Sequence, residues 1–128
     1  MVQRVAQVFG AVFVLIGILG FVQGGMSMES SVENAPKLLG LFAVNAVHNV
    51  VHLLFGVWGF LASRTVPGSI QFAKVGGAIY GILAALGLVA PTLFGLAPIG
   101  GNDIWLHALL AVVLYAAGMQ ASRKAVPA

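Results

Sequence analysis

The sequence predicts an all-α fold: an integral membrane four-helix bundle made of two repeated helical hairpins in parallel orientation. Three observations predict it. Of 128 residues, 60% are hydrophobic and only 7% charged, against about 25% charged in a soluble domain. The apolar residues fall into four separable stretches. The first and third stretches repeat without a gap at a constant offset of 67 residues. A soluble chain with a mean hydropathy of +1.04 would expose large apolar patches and aggregate. The length allows one domain, residues 1–128, with repeat halves of about 1–64 and 65–128.

The four stretches run from Val5 to Val22, Ala43 to Ala62, Ala73 to about Phe94, and Ile104 to Met119. Each approaches the ~20 apolar residues that cross ~30 Å of hydrocarbon as a helix. The fourth is the shortest and leans on Trp105 and Arg123 as interface anchors. The first resembles a secretory leader in having Arg4 before an apolar run, but Gln23-Gly24-Gly25-Met26 follows instead of a small-x-small cleavage pattern.

The repeat is visible residue by residue. FGAVFVLIGILGFV (Phe9 to Val22) aligns with GGAIYGILAALGLV (Gly76 to Val89). Gly10 pairs with Gly77, Gly20 with Gly87, and Phe13 with Tyr80. The second and fourth stretches match at an offset of 55, where Gly40 pairs with Gly95, Leu41 with Leu96, and His52 with His107. A shorter second outer loop absorbs the difference. Two helices per copy give both copies one orientation, so the repeats are expected to be related by an axis along the membrane normal.

Arg4, Arg64, Lys74, Arg123 and Lys124 fall on one side of the four stretches; Lys37 and the acids Glu29, Glu33 and Asp103 fall on the other. The positive-inside rule then places both termini in the cytoplasm and the protein in the inner (plasma) membrane. The net charge of +3 is sided in this way, and no basic stripe or cluster for nucleic acid is present. Absence of cysteine excludes disulfides, thiolate metal sites and thiol catalysis. Leu38-Leu39-Gly40-Leu41-Phe42 and Leu93-Phe94-Gly95-Leu96 are apolar pieces of the two outer segments. They either cap the bundle in the outer interface or extend the helix ends.

Small residues recur at heptad spacing: Ala6, Gly10, Gly17, Gly20 and Gly24 around Phe13, and Ala73, Gly77, Ala84 and Gly87 around Tyr80. Such seams let membrane helices approach closely. They predict packing of the first helix on the third near the pseudo-axis. Two other uses are room for a flat cofactor or lipid, with Phe13 and Tyr80 lining it, and contact with a second copy or another membrane protein. The bilayer is the partner that composition requires.

One polar constellation stands out. Asn45, His48, Asn49 and His52 lie at i, i+3, i+4 and i+7, on one helical face. Asp103 and His107 lie at i, i+4, beside Asn102. At the offset of 55, Asp103 is the counterpart of His48 and His107 of His52. Ionisable groups in a membrane face the bundle interior and find partners. Histidines at i, i+4 can reach one metal ion, so His48, His52, Asp103 and His107 are candidate ligands for a transition metal. His52 and His107 alone, on different helices, suit a b-type haem. Asn45, Asn49 and Asn102 are candidate supporting partners. A hydrogen-bonded knot that sets helix register, with Asn102-Asp103 as a plain N-cap, and a proton or ion pathway formed by an oligomer are the other readings. No nucleophile elbow, phosphate loop or carboxylate pair is present, so an enzyme is less expected than a binding protein or an accessory subunit of a membrane complex.

The runs LLGLFAVNAVHNVVHLLFGVWGFLASR (Leu38 to Arg64) and LFGLAPIGGNDIWLHALLA resemble the small bacterial membrane proteins grouped as domain of unknown function 4383. The most specific matches are Asn45-x-x-His48-Asn49-x-x-His52 and Asn102-Asp103-x-x-x-His107, and both are intact. The resemblance implies four membrane helices whose polar runs belong to the family pattern. It implies no activity.

Overall fold

The computed structural model describes residues 1–126. Among the described residues the chain is all-helical apart from one two-stranded ribbon: α1 (Val2–Gly24), β1 (Lys37–Leu38), β2 (Phe42–Ala43), α2 (Ala46–Ala62), α3 (Val66–Val89) and α4 (Asn102–Ala125). Three helices, α1, α3 and α4, are long and apolar enough to cross a membrane. Their 23 or 24 residues correspond to about 35 Å at 1.5 Å per residue. α2, with 17 residues, reaches only about 26 Å. It begins late because the preceding chain folds into the ribbon.

Several boundaries differ from those read in the sequence, each for a local reason. α3 begins at Val66, seven residues before the expected start, because the Thr65 side chain accepts from Gly68 N–H and Pro67 occupies the first turn. It ends at Val89, before the expected Phe94, because Pro91 disfavours helix at Ala90. α4 continues to Ala125, past Met119. Its N-cap is Gly101, with no side-chain cap bond, so the Asn102-Asp103 cap is not formed. The apolar outer pieces fold as turns and do not extend helices. β1 and β2 pair antiparallel, Lys37 with Ala43 and Leu38 with Phe42, and Leu93–Leu96 is a turn.

Those two turns share a backbone conformation. Leu39 and Gly40 have φ of 55° and 70°, and Phe94 and Gly95, 55 residues on, have φ of 57° and 85°. The non-glycine members are unusual in the left-handed region. Side-chain amides brace the two outer segments to each other. Asn45 Nδ2 donates to the Leu96 carbonyl at 2.9 Å, and Asn102 Nδ2 donates to the Leu41 carbonyl at 3.0 Å.

The tight helix pairs are α1 with α2 and α3 with α4; α1–α3 and α2–α3 contacts are fewer. The glycine seams account for this pairing, and they do not join α1 to α3 as the sequence suggested. A Cβ placed on Gly10 would lie 3.0 Å from Gly56 O and 3.1 Å from Phe60 N. One placed on Gly77 would lie 3.0 Å from Ala111 O and 2.7 Å from Tyr115 N. The offsets of 67 and 55 carry the first set of contacts onto the second. Gly20 and Gly87 behave alike: the first abuts the Asn49 side chain, and the second abuts its counterpart, Ile104. These glycines are therefore occupied within the chain. What joins α1 to α3 is aromatic. Phe13 and Tyr80 stack at the centre of a core that also holds Phe72 and Leu114.

Candidate functional site

The first two turns of α2 and α4 carry the polar residues. α2 starts where it does because the Asn45 side chain, with Asn45 extended, accepts from His48 N–H at 2.9 Å. That cap sets the helical phase of everything after it. His48 and His52 then point into the bundle, where they are 5% and 8% exposed. On α4, Asp103 and His107 are each 2% exposed. All four expected ligand residues are thus buried at the same end of the bundle.

His48, His52 and His107 each offer a nitrogen, and these three atoms lie within 4.8 Å of one another. The rings of His48 and His52 have centroids 4.5 Å apart, and those of His48 and His107 6.0 Å. Asp103 Oδ2 lies 3.7 Å from His48 Nδ1. The carboxylate therefore stands beside the trio and outside its tightest grouping. The Nδ1 atoms of all three histidines and Asp103 Oδ2 are buried with no hydrogen-bond partner among the described residues. Such orphans are few in native proteins, and an ion or ordered water is a frequent reason for them.

The aromatic core forms the floor. Phe13 stacks on His52, with centroids 5.9 Å apart and planes 20° from parallel, and Tyr80 lies 5.2 Å from His107. A cavity of about 190 Å³ opens on the trio between α1 and α4, walled by Phe13, Ile16, Leu106 and Leu110 and roofed by Leu38, Leu39 and Phe42. A smaller void of about 60 Å³ lies on the other side of the histidines, against α2 and α3. Sequence reasoning named Phe13 and Tyr80 as groove-lining residues, and the offset that pairs them was the available signal. The roof, Leu38, Leu39 and Phe42, belongs to the apolar outer piece that the sequence offered as a cap of the bundle; which of its residues close the cavity depends on how the ribbon folds over the helix ends.

The three asparagines take other roles than partners of the histidines. Asn45 caps α2 and reaches Leu96. Asn102 is exposed, bonding the Leu41 carbonyl and accepting from Trp105 Nε1. Asn49 is fully buried on the α1 side, against Gly20, with both amide atoms unpartnered among the described residues. The histidines are therefore held by backbone placement and ring packing.

The sequence model of one family, described as a domain of unknown function (DUF4383), matches residues 3–120. No match was found among curated proteins or among solved structures.

Proposed function

The chain belongs to the DUF4383 family, and we propose that it is a membrane-embedded metal-binding protein. A transition-metal ion is held by His48, His52 and His107, with Asp103 as a neighbouring negative charge or fourth ligand. The single observation that carries this reading is the convergence of three buried histidine nitrogens within 4.8 Å. Zinc–nitrogen bonds of about 2.0–2.1 Å put tetrahedral ligands about 3.3 Å apart. Side-chain rotations that close the trio by roughly 1.5 Å or less reach that spacing. An all-imidazole set suits zinc, copper, iron or nickel.

An ion is favoured over a haem. The cavity of about 190 Å³ is below the ~300 Å³ at which pockets for small organic ligands begin. His48 also stands beside His52 and His107, in the space a porphyrin plane between those two would need. The polar-knot reading draws on the His48–Asp103 approach, but a knot holds through hydrogen bonds, and among the described residues the Nδ1 atoms of the three histidines and Asp103 Oδ2 make none.

The same reading takes the chain as a duplicated hairpin in the inner membrane with cytoplasmic termini. Support for the duplication comes from the matched glycine contacts and matched turn conformations. Support for the orientation comes from five basic residues at one end of the bundle against Lys37 alone at the other. The site then sits in the outer half of the membrane.

Metal analysis of detergent-purified full-length protein tests the function. About one ion per chain is expected, with loss in each of His48→Ala, His52→Ala and His107→Ala. A folded protein that retains no zinc, copper, iron or nickel after incubation with each would overturn the reading.

A further inference from the structure

We propose that the tri-histidine ion keeps one coordination position open to the 190 Å³ cavity, and that this position takes a small uncharged Lewis base arriving from the outer leaflet between α1 and α4. The inference rests on the metal reading and adds to it a ligand class and a route.

Three protein ligands with an exchangeable fourth position are the pattern of reactive metal sites, whereas closed sites use four. Here the three closest donors are imidazoles, and Asp103 stands outside their grouping. The cavity touches all three histidines and Asp103, so a molecule inside it lies against the ion. Its volume admits a few non-hydrogen atoms beyond a single water, whose share of liquid volume is about 30 Å³.

The two voids flanking the histidines have counterpart walls. Phe13, Ile16 and Leu106 line the larger, and Tyr80, Leu83 and Val51, at offsets of 67, 67 and 55, line the smaller. The chain thus has two equivalent positions beside the site and only one is roomy, the one that Asp103 also lines. That void lies at the α1–α4 seam, which lacks the close glycine contacts that seal α1 to α2 and α3 to α4. Its roof is the ribbon, held by Gln23 Oε1 accepting from Leu39 N–H and by Phe42 against Trp105.

Charge decides the ligand class. The ion's own charge favours an anion, but the Asp103 carboxylate already offsets part of it. The remaining wall is apolar, with no lysine or arginine lining it. An anion would be paired with the ion once bound, but to reach it would have to shed its water and cross that apolar wall, which is costly. An uncharged donor carries no such cost.

The full-length protein loaded with cobalt(II) in detergent reports on this directly through its visible ligand-field bands. Titration with imidazole at constant cobalt content is expected to shift the bands, at concentrations roughly tenfold below those needed for azide (about 1.4 kcal/mol). Leu106→Phe and Ile16→Phe fill the cavity and are expected to keep the cobalt while losing the imidazole response. A cobalt-loaded protein whose bands ignore imidazole overturns the open position and leaves the metal reading standing. Equal sensitivity to azide overturns the ligand class. An undiminished response in both cavity-filled variants overturns the route. A chain that binds no cobalt removes the metal reading and this inference together.

Discussion

Phe13 and Tyr80 lie face to face, with ring centroids 5.3 Å apart and planes within 3° of parallel. They are counterparts at the offset of 67, and each also carries one histidine of the site, His52 on Phe13 and His107 on Tyr80. The stack therefore couples the α1–α3 contact to the placement of these two histidines. Phe13→Ala opens a cavity at the core and is expected to cost about 3–5 kcal/mol, and to weaken metal retention with it. Tyr80→Phe keeps the stacked ring and is expected to retain the ion. Metal loss in Tyr80→Phe with retention in Phe13→Ala would show that the hydroxyl, and not the stack, matters.

Helix pairing should fail where glycine is replaced by a larger residue. A Cβ on Gly59 would lie 2.9 Å from Ala6 O and 2.9 Å from Gly10 Cα, and backbone cannot step aside as a side chain can. Gly59→Leu and Gly77→Leu are expected to cost about 1–3 kcal/mol or more through overpacking. Val8, 58% exposed, is the control, and Val8→Leu should leave thermal stability in detergent unchanged. Val14 is unsuitable as a control, because its side chain packs on Gly56.

Asn49 separates a structural role from a ligand-supporting one. Among the described residues both amide atoms are buried and unpartnered, and the residue 55 positions on is Ile104, which meets Gly87 as Asn49 meets Gly20. Asn49→Leu removes two unsatisfied polar atoms while keeping the branching and the number of side-chain heavy atoms. A gain of about 1–3 kcal/mol is expected, with metal content unchanged. Loss of the ion in this variant, with the helix content intact, would place Asn49 in the ligand network after all.

Orientation is checked by reporter fusions. A periplasm-active reporter should be silent at the C-terminus and active in the segment between Met26 and Lys37. The reverse pattern would put the histidine site on the cytoplasmic side and remove the outer-leaflet route.

The turn at Leu39-Gly40 sets the ribbon that roofs the cavity. Gly40 has φ of 70°, a region that side-chain-bearing residues enter at a cost of roughly 1–2 kcal/mol. Gly40→Val should therefore disturb the roof while leaving the helices in place. Faster exchange of the bound ion with chelator, at unchanged thermal stability, is the expected result.

How much was legible in the sequence varies element by element. The apolar stretches, the polar face of α2 and the repeat offsets were readable because helical periodicity and self-similarity are local properties of the chain. His48, His52 and His107 were named together for that reason, and Asp103 with them. Helix ends were less legible, since α3 starts on the Thr65 cap and stops ahead of Pro91.

Other features needed the folded chain. The sequence by itself determined that the residues form apolar helices, with His48 and His52 on one face of one helix and His107 on another helix. Only the tertiary structure decided that the glycine seams pair α1 with α2 and α3 with α4, because a small-residue face does not specify which neighbour fills it. It also decided that Asp103 stands 3.7 Å from His48 but outside the histidine trio, and that Asn49 turns to Gly20. Helical spacing assigns a residue to a face, whereas distances of a few ångströms depend on how neighbouring helices rotate and pack against it.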